Sequence, residues 1–479
     1  MTQLHEVQVN AQPIDRFLPL FGEEGVQGVY KIADEARRSM EGRVFWNVNS
    51  TERGGGVAEM LRSLLPYVRG LDIDTRWIVI SGTPEFFDIT KRLHHALHGS
   101  AGDGSPLGER ERDIYERVLH DNAEELAGLV RPRDFVLLHD PQTAGLAPHL
   151  LRLGAIVIWR CHVGTDEVNE QVDLGWRFLE PYLENVAANV FTRQQYIPEC
   201  CDSGRSVIIP PSIDPFSAKN QNMDEDTIRA ILVHTGLVEG PSGKGTPTFI
   251  REDGSPGRVD RRADVSRLGR APSWGTPLVV QVSRWDRLKD PVGVLHGFSK
   301  IVNGAAPADA ELVLAGPNVK AIHDDPEQVA TFDEVVAAWR QLPQGDRNRI
   351  HLACLPMADV EENAAIVNAL QRHAAVIVQK SLQEGFGLTV TEAMWKSRPI
   401  LASAVGGIQD QIENEVHGLL LKDPADAEAF GIALRRLLED REFAERLGSN
   451  AGQRVRETYL GLRHLVQYAD LLRRTDLKS

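Results

Sequence analysis

Two glutamates eight residues apart, Glu384 and Glu392, bracket the segment best equipped for chemistry: Glu384-Gly385-Phe386-Gly387-Leu388-Thr389-Val390-Thr391-Glu392. The apolar run Ala375–Gln379 just before it reads as a strand. A strand that enters a glycine-bearing turn and then opens a helix aims backbone N–H groups, and the helix's positive end, at an anion. A phosphate is the simplest such anion. With a rise of about 1.5 Å per residue the two carboxylates fall roughly 10 Å apart. That separation suits hydroxyls at opposite ends of a sugar–diphosphate–ribose ligand. The plainer alternative is helix capping plus a surface ion pair, since acids favour helix starts.

Four further segments follow strands in the same way. Ser283-Arg284-Trp285-Asp286-Arg287-Leu288-Lys289 follows the strand Leu278–Val282. Arg284 and Lys289 can clamp a diphosphate between them, although isolated charges are as readily solvated surface groups. Asn49-Ser50-Thr51-Glu52-Arg53-Gly54-Gly55-Gly56-Val57 repeats the strand–glycine–helix pattern in the first half. Its glycines let the backbone approach a ligand closely, or simply make a flexible turn. His139-Asp140-Pro141 and Trp159-Arg160-Cys161-His162 end two strands on one edge. Asp140 and His162 are therefore candidates for sugar hydroxyls, against the alternative of a merely structural strand-end histidine.

The elements that must position these groups alternate. Strands are expected at Val44–Val48, Arg76–Ile80, Phe135–His139, Ala155–Arg160 and Val186–Phe191. Helices are expected at Val57–Arg69, Pro84–Leu97, Glu109–Leu129 and Thr143–Leu153. The pattern stops near Val207–Ile209, where Pro210-Pro211-Ser212-Ile213-Asp214-Pro215 reads as a stiff hinge. After a helical stretch comes a Gly/Pro/Arg-rich insertion, 236–275, expected as a solvated surface loop, with an interface or regulatory role as the lesser reading. Alternation then resumes with strands Leu278–Val282, Glu311–Ala315, Ile350–Ala353, Ala375–Gln379 and Pro399–Ala402. Helices lie around Val292–Val302, Val329–Gln341, Asp359–Gln371 and Thr391–Lys396, and three more end the chain. The expected class is α/β: an N-terminal Rossmann-like domain over 1–214 and a second over 215–459. The ligand is expected to lie in a cleft at the strands' carboxyl ends.

Composition narrows the function. The chain has 479 residues with 68 acidic and 53 basic side chains, a formal charge of −15. That balance opposes a general nucleic-acid or anionic-membrane binder. No apolar run is long enough to span a bilayer, and residues 1–15 lack the signal-peptide pattern, so a cytoplasmic protein is expected. The four cysteines suggest no disulfide framework, and the histidine spacing suggests no metal. Gly243-Lys244-Gly245 lacks the Ser/Thr of a P-loop, and there is no dinucleotide glycine fingerprint after a strand.

Together these segments resemble the retaining glycosyltransferases of the GT-B architecture, with two Rossmann-like domains facing each other across a cleft. Within that group the chain is similar to the trehalose glycosyltransferring synthases, relatives of the trehalose phosphorylases. The likeness rests on Val48 through Glu59, Trp159-Arg160-Cys161-His162, the Pro210–Pro215 hinge and Glu384 through Trp395. It spans about Arg43 to Tyr459, apart from the insertion. The resemblance implies reversible synthesis of α,α-trehalose from free glucose and ADP-glucose, UDP-glucose or GDP-glucose, with no cofactor and no metal required. It implies Glu392 on the ribose hydroxyls and Glu384 on the glucose 3- and 4-hydroxyls. Gly385, Phe386, Gly387, Leu388 and Thr389 would lie beside the sugar and phosphates. Arg284 and Lys289 would neutralise the diphosphate, with Gly55 and Gly56 against the phosphates. His162 would contact the transferred glucose, Asp140 the acceptor and Leu355 the base. A homodimer is implied as well, as is the packing of helix 460–479 back on the first domain. Trehalose phosphorylase, transfer to another small polyol and a non-catalytic sugar-nucleotide sensor are the competing readings.

Overall fold

The computed structural model describes residues 4–52, 55–241, 243–302, 309–321 and 326–476, so Arg53 and Gly54 of the first glycine loop lie outside it. The chain divides into two units, Met1–Ser212 with Tyr459–Ser479, and Ile213–Thr458.

The first unit is built on β1 (His5–Val7), β2 (Phe45–Asn49), β3 (Thr75–Val79), β4 (Phe135–His139), β5 (Ile156–Cys161), β6 (Ala188–Phe191) and β7 (Ser206–Ile208). They stand in the order β1-β3-β2-β4-β5-β6-β7. β1 runs antiparallel to β3 and the rest are parallel. Every residue of β2, β4 and β5 is buried, as a parallel sheet covered on both faces requires. Helices start where side chains can take up their unpaired N–H groups. Thr83 Oγ1 accepts from Phe86 N at 3.2 Å to open Pro84–Leu97. Asn169 Oδ1 accepts from Gln171 N and Val172 N at 3.0 and 3.1 Å to open Glu170–Leu183. Trp46, Tyr115, Trp159 and Phe178 fill the core.

Helices Leu18–Ser39 and Glu170–Leu183 stand outside the sequence expectations. The former is broken at Gly22, whose φ is 67°, and buries only the row Val26, Val29, Ala33 and Ala36. Half of that row is alanine, so its apolar signal is weak.

The second unit holds β8 (Thr248–Ile250), β9 (Pro256–Arg258), β10 (Asp264–Ser266), β11 (Leu278–Val282), β12 (Glu311–Pro317), β13 (Ile350–Leu355), β14 (Val376–Gln379), β15 (Ile400–Ser403) and β16 (Leu419–Leu421). Its main sheet runs β10-β13-β12-β11-β14-β15-β16. Again one edge strand, β10, is antiparallel. In both sheets the parallel strands start in the middle, at β2 and at β11, and build outward both ways. Such a switch point leaves a crevice between diverging loops at the strands' carboxyl ends.

The insertion 236–275 stays largely exposed but is not a plain loop, and the expectation is corrected to that extent. β8 and β9 form a hairpin, and β10 extends the main sheet by pairing with β13. Three of its six arginines are anchored. Arg251 reaches Asp359 at 2.6 Å and Glu361 at 3.0 Å, Arg261 pairs with buried Glu362, and Arg267 donates to Gly236 O at 2.7 Å. Carboxylates at the start of helix Val360–His373 thus hold the segment down.

Candidate active site

In the second unit the loops leaving β11 and β14 meet at the switch point. After β11 the chain makes a short 3-10 turn, Arg287–Lys289, capped by Asp286 Oδ1 accepting from Leu288 N at 2.8 Å. Leu382 N donates to Leu288 O at 2.7 Å, tying the loop after β14 to it. Lys289 Nζ thereby lies 2.6 Å from Glu384 Oε2, and Ser381 Oγ donates to the same oxygen at 3.2 Å. The pair keeps 17% and 13% of its side-chain surface, so it is largely desolvated yet reachable. Beside it, buried Lys380 pairs with Asp290. Arg284 does not join: its partner is Asp286 at 3.5 Å, and its side chain is 61% exposed. Of the two expected cations, the structure brings only Lys289 to Glu384.

Gly387 caps the helix Leu388–Trp395 in a left-handed conformation, φ 86°. A Cβ there would stand 3.0 Å from Ile408 Cγ1 and 3.2 Å from Glu384 Cγ, so the turn needs glycine for backbone and for space. A second glycine loop, Gly406-Gly407, braces it: Gly407 N donates to Gly385 O at 3.1 Å and Gln411 Nε2 to Phe386 O at 2.6 Å. Phe386 is buried, whereas Leu388 and Thr389 are partly exposed, with Thr389 Oγ1 donating to Gln379 Oε1 at 3.2 Å. Glu392 is buried, 3.3 Å from Lys219 Nζ. Leu355 ends β13 with its side chain in the core and its carbonyl accepting from Asn318 N at 2.9 Å.

In the first unit the corresponding edge is built differently. Gly55, φ 81°, caps helix Gly56–Gly70, and no atom lies within 4 Å of where its Cβ would be. Asp140 follows β4 with φ 64°. Its Oδ1 accepts from His162 N at 2.7 Å and its carbonyl from Trp159 Nε1 at 3.0 Å. Burial pushes its carboxyl up to about 7, against the pull of the His162 N–H and of Arg160. His162 Nε2 lies 3.2 Å from His139 Nδ1 with the rings stacked, and His139 Nε2 lies 3.4 Å from Asn47 Oδ1. Burial, then the Arg160 guanidinium, hold both imidazoles well below the usual histidine range. Arg160 is itself fully buried. It meets His464 Nε2 at 2.9 Å, Tyr468 OH, and Ile209 O at 3.0 Å, which fastens helix Gly461–Asp476 to β5.

Residue-type reasoning missed Lys219, Ser381, Gln411, Asn47 and His139 as site groups. Asn47 did leave a signal, an amide between apolar Trp46 and Val48 in a strand, and Gly406-Gly407 after β15 repeats the glycine-loop pattern. The histidine spacing needs one correction, because His94 and His98 are helical neighbours with ring centroids 4.8 Å apart. Among the described residues, however, no three His, Cys, Asp or Glu side chains gather as a metal site. Nor is any described helix long and apolar enough to cross a membrane.

Comparison with known proteins decides the family. Residues 47–198 match the model of the trehalose synthase N-terminal domain, and residues 273–454 that of glycosyl transferases group 1. The trehalose synthase of Thermococcus litoralis is 34% identical over 459 residues, 96% of each chain. This chain belongs to the trehalose synthase family. It is a glycosyltransferase. A trehalose phosphorylase of Pleurotus pulmonarius is 24% identical, covering 89% of this chain and 56% of its own. Among solved structures, a Burkholderia xenovorans trehalose-phosphate synthase aligns with a TM-score of 0.64 at 17% identity, over 90% of this chain and all of the other. Such neighbours establish the GT-B glycosyltransferase fold. As a trehalose synthase family member, the chain acts in trehalose-related glycosyl transfer.

Proposed function

We propose that the enzyme transfers glucose reversibly between a nucleoside diphosphate (ADP, UDP or GDP) and free glucose, with retention, so that the product is α,α-trehalose. The observation that carries this reading is the Lys289–Glu384 pair beside the Gly387 helix start. A desolvated cation and converging backbone N–H groups stabilise negative charge where it develops, on the departing diphosphate. The C1–O bond to phosphate breaks, a C1–O bond to the acceptor forms on the same face, and the acceptor's hydroxyl proton passes to the leaving phosphate oxygen. Glu384 orients Lys289 and serves the sugar's 3- and 4-hydroxyls, with residues 385–389 beside it. Glu392, held by Lys219, takes the ribose. Arg284 swings from the surface onto the diphosphate. Gly55 and Gly56 lie against the phosphates, His162 and Asp140 serve the transferred glucose and the acceptor, and Leu355 lies under the base.

The test is proton NMR of the purified protein with trehalose, once with ADP or UDP and once with orthophosphate. Nucleotide-glucose plus glucose is the expected product. Glucose 1-phosphate formed only with orthophosphate assigns a phosphorylase instead, and no reaction in either tube removes the acceptor assignment.

A further inference from the structure

A hydrogen-bond chain crosses four neighbouring strands of the first sheet, and its direction can be read from one end. Thr75 Oγ1, on β3, donates to Phe45 O at 2.9 Å. A hydroxyl has one proton, so this oxygen accepts from Asn47 Nδ2, on β2, at 3.3 Å. That orients the amide and turns Asn47 Oδ1 toward His139 Nε2, after β4's buried run, at 3.4 Å. A carbonyl oxygen only accepts, so His139 carries its proton on Nε2. A neutral imidazole has one N–H, which leaves His139 Nδ1 an acceptor facing His162 Nε2 at 3.2 Å. His162, just beyond β5, must then be protonated on Nε2. Its Nδ1 makes no hydrogen bond to a described residue, and the ring is partly exposed. Thr75, Asn47 and His139 are all buried, so water does not compete for the chain. The nearby Arg160 and His464 have partners of their own and offer the two imidazoles no acceptor.

We propose that Asn47 and His139 are positioning residues that lock His162 in its Nε2–H tautomer, so that Nδ1 serves only as an acceptor for a sugar hydroxyl. The sugar at this edge rests on the function proposed above; the tautomer lock does not. The edge would thus select sugars that present a free hydroxyl and discriminate against analogues in which that hydroxyl is replaced by a group unable to donate. Spectroscopy reads the tautomer directly.

Ring-¹⁵N histidine labelling with two-bond ¹⁵N–¹H correlation reports which nitrogen is protonated, and H162Q assigns the resonances. The wild type should show His162 protonated on Nε2 alone. Asn47→Leu removes the acceptor that sets the direction, so His162 should become a tautomer mixture and kcat/KM for the nucleotide-sugar should fall about tenfold, the worth of one hydrogen bond. Asn47→Gln keeps an amide donor and a carbonyl acceptor on this side chain and should restore part of the tautomer preference and of kcat/KM. A wild-type His162 protonated on Nδ1, or an unchanged tautomer in a folded N47L, overturns the lock. The stated tautomer with resonances that ignore glucose, trehalose and ADP-glucose alike overturns the sugar-acceptor role and leaves the lock standing.

Discussion

At the carboxyl edge of the first sheet the candidate sugar groups are hydrogen-bonded side chains gathered near one buried guanidinium, that of Arg160, whereas those of the second sheet form ion pairs. On the first sheet His139, His162 and Asn47 form a directed chain of neutral donors and acceptors, and Asp140 is buried enough to hold its proton near neutrality. On the second, Lys289–Glu384, Lys380–Asp290 and Lys219–Glu392 are ion pairs around a glycine turn. Neutral hydrogen-bonded groups discriminate among hydroxyls at small desolvation cost. Paired charges stay ionised when largely buried and can respond to charge that develops during a reaction. The contrast fits sugar recognition on one sheet and diphosphate departure on the other.

Breaking the charged side should have the largest effect. Lys289→Ala should slow turnover by roughly 10²-fold, because it removes charge where the leaving group forms. Steady-state kcat near wild type would take Lys289 out of the mechanism. Gly387→Ala should destabilise by about 1–3 kcal/mol, since positive φ and crowding by Ile408 and Glu384 act together. Gly55→Ala, with similar φ but open space, should cost only about 1 kcal/mol. Denaturant melts of the two variants compare the glycine turns directly, and equal losses would mean that crowding adds nothing. Glu392→Ala should raise KM for the nucleotide-sugar about tenfold, with the acceptor's KM little changed; parallel rises in both would remove the ribose role.

The smallest effect sharpens the neutral side. Asp140 titrates at about 7 in the fold, against about 3.9 in an unfolded chain, so the fold binds its proton more tightly. Its stabilisation is fully present below about pH 4 and is lost as pH rises toward 7. Asn tolerates the positive φ and still accepts from the His162 N–H. Asp140→Asn should therefore gain on wild type as pH goes from 5 to 8, in matched denaturant titrations. The histidine contributions run the opposite way but are common to both proteins. A pH-independent difference would mean that Asp140 is ionised as an ordinary carboxylate.

Much of the fold was legible because its signals are local. Pro84–Leu97 carries a helical apolar pattern with a proline at its start, and β4 the apolar run Phe135–Leu138. The glycine turn before Glu392 was legible for the same reason: a strand, a residue free to take positive φ, then a helix. Helix Leu18–Ser39 escaped because alanines make half of its buried row, and β10 because three residues carry no periodicity. Within the candidate site, Glu384 and Lys289 could be named from residue type, but Lys219 and Ser381 could not. Nothing near Lys219 in sequence says that it will meet a carboxylate on the helix of the glycine turn.

By itself the amino-acid sequence determined an acidic α/β chain with two Rossmann-like halves, and the loops able to carry phosphate and sugar chemistry. Alternation, capping and glycine tolerance are all short-range properties. Only the tertiary structure decided that Lys289 meets Glu384 across 95 residues while Arg284 faces the surface, and that Arg160 reaches His464 across 304. It also decided that a strand amide sets the proton of a distant imidazole. Those outcomes depend on which strands lie side by side, and strand order is settled by the packing of the whole sheet rather than by any segment of it.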